Sequence, residues 1–168
     1  KAWVDFIVSQ CSEPYLWNTG WHYGDWLFYS VDNDTSGVSA VTYKPLIQQC
    51  FFANSADVTA KAAAVLGLEK EAAYYADVAA KAREAFCNAY LTPAGYLVSA
   101  TQTAYVLALN FDMLPESMRP VVAARLADKV REYGHITTGF LGTPYICHVL
   151  SEWGYTDLAY MLLLRQQY

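Results

Sequence analysis

Basic charge is in short supply in this sequence: eleven Lys and Arg stand against sixteen Asp and Glu, the net charge is −5, and the cations never gather into a run. Neutralising a phosphate backbone needs such a run, so a nucleic-acid partner is not expected. Long apolar stretches are missing too. None approaches the roughly 18 to 20 residues that cross a bilayer, so no membrane span is expected. The four cysteines, Cys11, Cys50, Cys87 and Cys147, lie far apart and form no C-x-x-C pair, which leaves no zinc knuckle and no redox motif. They read as small buried hydrophobes; disulfides among them stay open, and they fix no compartment. Of the three histidines no two share a ligand spacing with a carboxylate, so neither a metal nor a cofactor is expected. The start, Lys1-Ala2-Trp3-Val4-Asp5-Phe6, has no initiator Met and no signal-peptide pattern. That suggests a piece of something longer, of unknown localisation.

Apolar and aromatic residues are abundant, at 55% and 15% of 168 residues, enough for one sizeable core and too many for disorder. Their spacing is helical. Trp3, Phe6, Ile7 and Cys11 end a first helix, and an irregular stretch rich in Trp, Gly, Asp and Asn follows to about Gly37. Residues 39–67 read as helix, with Pro45 tolerated in the first turn. Residues 68–90 carry Leu68, Ala72, Tyr75, Ala79, Ala82 and Phe86 on one face and Asp77 four before Lys81 on the other. Gly67 joins the two as an antiparallel hairpin. Residues 101–111 are apolar all round, whereas 120–133 set Val122, Leu126 and Val130 opposite Arg125, Asp128, Lys129 and Glu132. A third pair, 144–153 and 156–167, meets at Gly154-Tyr155. The fold class is therefore all-α: about three consecutive hairpins of alternating buried and amphipathic helices, in one partial domain over 1–168.

Such hairpins suit part of an α/α toroid or an α-solenoid, although no repeat of the tetratricopeptide or HEAT kind is present. Ahead of each buried helix stands a segment of unusual composition: 21–35, 98–103 and 135–143. If the buried helices run parallel, these segments meet at one end and can form a pocket mouth, where helix N-termini offer free N–H groups.

In the first segment, Trp21-His22-Tyr23-Gly24-Asp25-Trp26 places a carboxylate between indole rings. A sugar has an apolar face that stacks on Trp and vicinal hydroxyls that a carboxylate can accept from, which makes carbohydrate the first candidate ligand. The competing reading takes Trp21 and Trp26 as core aromatics and Asp25 as a cap or turn residue. In the third, His135-Ile136-Thr137-Thr138-Gly139-Phe140-Leu141-Gly142-Thr143-Pro144, the glycines imply close backbone approach, with Thr143 as cap and Pro144 at the first helical position. His135, like His22 and His148, is by default a hydrogen-bonded structural residue.

Trp21 with Gly24-Asp25-Trp26, then Thr103-Ala104-Tyr105-Val106-Leu107-Ala108-Leu109, then Thr138-Gly139-Phe140-Leu141-Gly142-Thr143-Pro144, resemble the catalytic domain of the inverting α-L-rhamnosidases. The resemblance covers nearly the whole chain. It implies part of an (α/α)6 toroid and hydrolysis of terminal α-L-rhamnosyl residues from a rhamnose-containing glycoside or polysaccharide. It also implies that Trp21 stacks on the sugar, that Asp25 binds its hydroxyls and that Asp34 is a further sugar-binding carboxylate. Trp26, His135 and Phe140 complete the candidate substrate-binding set.

Inversion needs a carboxylic acid and a carboxylate base about 6.5 to 9.5 Å apart. The resemblance assigns neither here: the acid falls in an upstream acidic motif and the base in a downstream Trp-Glu segment. Glu152, before Trp153, belongs at the opposite end of its helix, and Glu69, Glu71, Glu84, Glu116 and Glu132 fall on outer helices. The chain alone is thus expected to be inactive, with open apolar edges through which it can dimerise. A different α/α-toroid carbohydrate-active enzyme and a non-enzymatic α-solenoid interaction module are the alternatives.

Overall fold

The computed structural model describes residues 1–30 and 40–166. Among them the chain is helical: α1 (Ala2–Gln10), α2 (Lys44–Val65), α3 (Glu69–Tyr90), α4 (Gln102–Asn110), a 3-10 turn (Glu116–Met118), α5 (Arg119–Tyr133), α6 (Thr143–Glu152) and α7 (Thr156–Leu163). Three antiparallel pairs result, α2 with α3, α4 with α5 and α6 with α7. The first helix of each pair touches the next, α2 to α4 to α6, and so builds an inner row, while α1 packs on α2.

Periodicity accounts for the outer helices. In α3 the buried Tyr75, Val78, Ala79, Ala82, Phe86 and Tyr90 return every three or four residues, and the Asp77–Lys81 ion pair, 2.7 Å, lies on the solvent side. The inner helix α4 is different, because every residue from Gln102 to Leu109 is buried. Its first turn is capped by Thr101, whose Oγ1 accepts the Ala104 N–H at 3.2 Å. Expected to match it, α6 instead buries only Ile146, Val149 and Leu150. Helix α2 begins at Lys44, with Pro45 in its first turn where a missing N–H costs nothing. Helix α7 stops at Leu163, short of the predicted end, where Leu163 and Leu164 are exposed and propensity has no packing behind it.

The inner helices end alike. After α2, Gly67 takes φ +70°, its N–H donates to Ala64 O at 3.0 Å, and the Leu68 N–H reaches Ala63 O at 2.9 Å. After α6, Gly154 (φ +84°) and Tyr155 repeat this with Ser151 and Leu150. After α4, Asp112 (φ +55°) and Met113 do so with Leu109 and Ala108, and Asp112 is paired with Arg119 at 3.0 Å. Each motif satisfies carbonyls that the helix end would otherwise orphan, and turns the chain sharply into the returning helix.

The irregular stretch between α1 and α2 is tied down by a buried amide. Gln49 accepts the Trp17 N–H at 2.8 Å and donates to Tyr15 O and Ala82 O, each at 2.8 Å, so one side chain links this stretch to α2 and α3. All four cysteines are free, with Cys50 fully buried and the others half-buried. Burial pushes all four thiols up, as small hydrophobes would behave.

Candidate functional site

Hydrogen bonds between distant segments show that the inner helices start at one common end. Thr42 and Thr101 share a hydroxyl bond of 2.6 Å, ahead of α2 and α4, and the Tyr43 N–H donates to Ser99 Oγ at 2.8 Å. Gln102, buried at the start of α4, donates to His135 O at 3.0 Å and accepts the Thr137 N–H at 2.9 Å. The Tyr29 N–H reaches Thr137 O at 2.9 Å. The three chemically unusual segments therefore converge, as parallel inner helices require.

Asp25 lies at the centre of that convergence. Only 4% exposed, it is the one buried carboxylate among the described residues. Its Oδ1 accepts the Leu141 N–H at 2.9 Å, and its Oδ2 accepts both the Gly139 N–H at 2.8 Å and the Thr103 hydroxyl. Expected to accept from sugar hydroxyls, Asp25 accepts here from three protein donors. A carboxylate out of solvent must satisfy its oxygens within the protein, and three donors do so here. Thr103 stands in the first turn of α4, where the helix dipole favours a negative charge.

Close approach explains the glycines around Phe140. A Cβ at Gly139 would stand 2.7 Å from the Asp25 carbonyl oxygen and nearer still to that of Trp26. At Gly142 it would meet the Thr138 side chain at 2.7 Å. Thr143 does not cap α6 as expected; it is the first helical residue, and its hydroxyl donates to Gly139 O at 2.8 Å.

With Asp25 turned inward, the rings beside it turn outward. Trp21, Tyr23, Trp26, Leu27 and Phe140 are all more than half exposed, so the indoles are not core. Trp26 stacks on Tyr23, with centroids 4.8 Å apart at 18°, and Tyr23 meets Trp21 edge-on at 4.5 Å. The Lys44 ammonium stands 6.0 Å above Trp21. Trp21 lines a cleft of about 420 Å³ with Trp3, Trp17 and His22, while Leu27, next in sequence to Trp26, joins Thr138, Gly139, Phe140, Thr143 and Pro144 in lining a separate, mainly apolar cleft of about 280 Å³. That volume is at the small end for ligand pockets, about 300 Å³, and suits one sugar ring. Tyr23, Leu27 and Thr103 are the contributors that composition and motif reading did not single out individually; the adjacency of Tyr23 to Trp21 and Trp26 was the available signal.

The remaining candidates lie elsewhere. His135 packs against Tyr29 and Tyr133, with centroids at 4.8 and 6.0 Å, and is not among the cleft-lining residues. His22 accepts the Gly24 N–H on Nδ1 at 3.1 Å, and burial, with the Lys44 cation beside it, holds its pKa below the ordinary 6.5. Asp34 lies outside the described residues. Glu152, the last residue of α6, is exposed at the far end of its helix. Among the described residues no group of His, Cys, Asp and Glu could hold a metal ion, and no helix is long and apolar enough to cross a membrane.

Known proteins share this fold. Residues 1–168 match the model of the bacterial alpha-L-rhamnosidase 6 hairpin glycosidase domain. An alpha-L-rhamnosidase of Streptomyces avermitilis is 42% identical over 142 residues, which are 84% of this chain and 13% of the relative. One from Alteromonas sp. (strain LOR) is 34% identical across the whole chain and 18% of its own length. The crystal structure of the Streptomyces avermitilis alpha-L-rhamnosidase complexed with L-rhamnose superposes with a TM-score of 0.87 at 38% identity, covering 99% of this chain and 15% of that one. The chain thus spans less than a fifth of these relatives, and the hairpins are part of an α/α-toroid rather than a solenoid. It belongs to the bacterial α-L-rhamnosidase six-hairpin glycosidase domain family.

Proposed function

We propose that the protein containing this chain removes terminal α-L-rhamnosyl residues from rhamnose-containing glycosides or polysaccharides with inversion, and that this chain supplies an aromatic wall of the sugar subsite. The cleft between Leu27 and Phe140, with the exposed Trp21–Tyr23–Trp26 strip just before Leu27 in the chain, carries the reading. Rhamnose has a methyl group at C5 and an apolar ring face; exposed rings at the mouth of a small apolar cleft complement both. Trp21, Trp26 and Phe140 make those contacts in this proposal.

The acid and base come from elsewhere in the protein. Inversion needs two carboxyl groups about 6.5 to 9.5 Å apart with room for water between them. Asp25, the buried carboxylate among the described residues, already accepts three protein donors and is not available for either role. Residues 1–168 act as one partial domain holding three of the hairpins. Alone, the chain turns over no rhamnoside and self-associates through exposed apolar side chains on its outermost helices, Trp3 and Phe6 on α1 and Leu163 on α7.

The test is hydrolysis of an aryl α-L-rhamnoside by the full-length protein, followed by proton NMR during the first turnovers. The expected first product is the β-anomer of rhamnose. Release of the α-anomer, or no release from any α-L-rhamnoside, overturns the proposal.

A further inference from the structure

Three consecutive amides, those of Gly139, Phe140 and Leu141, are all committed to two neighbouring residues. Gly139 N–H donates to Asp25 Oδ2 at 2.8 Å, Phe140 N–H to Trp26 O at 2.9 Å, and Leu141 N–H to Asp25 Oδ1 at 2.9 Å. The Phe140 ring is 66% exposed, so side-chain packing does little to hold it. Its backbone is nevertheless fastened on both sides and at its own N–H. Gly139 allows this because the Trp26 and Asp25 carbonyls occupy the space a Cβ would need.

We infer that Asp25 is a positioning residue for the sugar subsite: it touches no ligand and fixes, through the amides of Gly139 and Leu141, where Phe140 stands relative to Trp26 and Leu27. The inference rests on the proposed rhamnosidase subsite. Its physical basis is preorganisation, since an exposed loop aromatic that is already immobile loses little freedom when a ligand stacks on it. A carboxylate is needed because both oxygens must accept. An amide at this position would turn an NH2 group either toward the Leu141 N–H or toward the Gly139 N–H, leaving one buried donor opposed by another. Thr103 completes the arrangement by tying the carboxylate to the start of α4, so the ring's position is referred to the inner row and not to the loop alone.

The experiment uses the full-length protein with an aryl α-L-rhamnoside. D25N should raise KM about tenfold while kcat stays within about threefold, the pattern of lost ground-state positioning. F140A should do the same, and D25N in the F140A background should add little, because the route through Phe140 is already gone. T103V should move KM in the same direction by less, and T103S should restore it. Amide exchange at residues 139–141 should quicken in D25N and T103V while the α2–α3 hairpin stays protected. Additive effects of D25N and F140A, a loss confined to kcat, or unchanged exchange at 139–141 would each overturn the inference. If D25N does not fold, the T103V and T103S pair carries the same test. If the wild-type protein cleaves no rhamnoside, the functional proposal fails by itself, and the exchange measurement still decides whether Asp25 fixes the Phe140 backbone.

Discussion

At one end of the hairpins the three inner helices stop in the same way; at the other, no two of the segments that start them resemble each other. The far-end turns after α2, α4 and α6 use one left-handed residue and hydrogen bonds within six residues of chain. At the near end Asp25 reaches Thr103, Gly139 and Leu141 across 78, 114 and 116 residues. A local motif can form whenever its helix forms. A carboxylate with partners on two other segments can be satisfied only when all three hairpins are assembled. The end that offers a cleft and exposed rings is thus the end held by long-range bonds.

The largest expected effect that separates the two ends is Gly139→Ala. Its Cβ would collide with backbone that cannot yield, so a loss of about 3 kcal/mol is expected by denaturant unfolding of the chain. A loss below about 1 kcal/mol would mean that the near end adapts as easily as a surface loop. Asp25→Asn follows at about 2 kcal/mol, the cost of leaving a buried donor unpaired. At the far end, Gly67→Ala and Gly154→Ala meet no atom within 4 Å, so only the left-handed backbone resists them. Thermal unfolding should register about 1 kcal/mol for each. Losses as large as that of Gly139→Ala would erase the distinction between the ends. Trp21→Ala and Phe140→Ala should change stability by less than about 0.5 kcal/mol because both rings are exposed, yet weaken rhamnoside binding. Equal effects on both properties would place the rings in the core.

The smallest effect is one of pH. His22 is held neutral in the fold by burial and by Lys44, so its folded pKa lies below the ordinary 6.5. The unfolded chain then binds more protons just below pH 6.5, and stability should fall as pH drops through that value and below it. His22→Gln should flatten this part of the pH profile without altering the far-end turns. A steeper profile in the variant would contradict the assignment.

Much of this was legible in the sequence, for a physical reason in each case. The α3 stripe and the all-apolar α4 follow from helical period, and Gly67 and Gly154 mark turns where left-handed backbone is needed. Convergence of the three odd segments followed from the direction of the hairpins alone. The motifs pointed to the family; they did not reveal the three protein donors of Asp25, and they made Thr143 a cap where it is the first helical residue. The donors of Asp25 could not be seen locally, because they lie more than seventy residues away, whereas Thr143 is drawn to Gly139 O, four residues earlier, by the tight loop. Asp112 was missed as the third far-end turn because it is not glycine, although its conformation is the same.

The sequence by itself determined the helices, their pairing and the family, since these depend on periodicity, turn residues and short motifs. Tertiary structure decided which side chains of Trp21-His22-Tyr23-Gly24-Asp25-Trp26 stand exposed and which is buried. A carboxylate and an indole in adjacent positions can each point in or out. The choice falls to whichever finds buried partners, and the donors that draw Asp25 inward come from hairpins far along the chain.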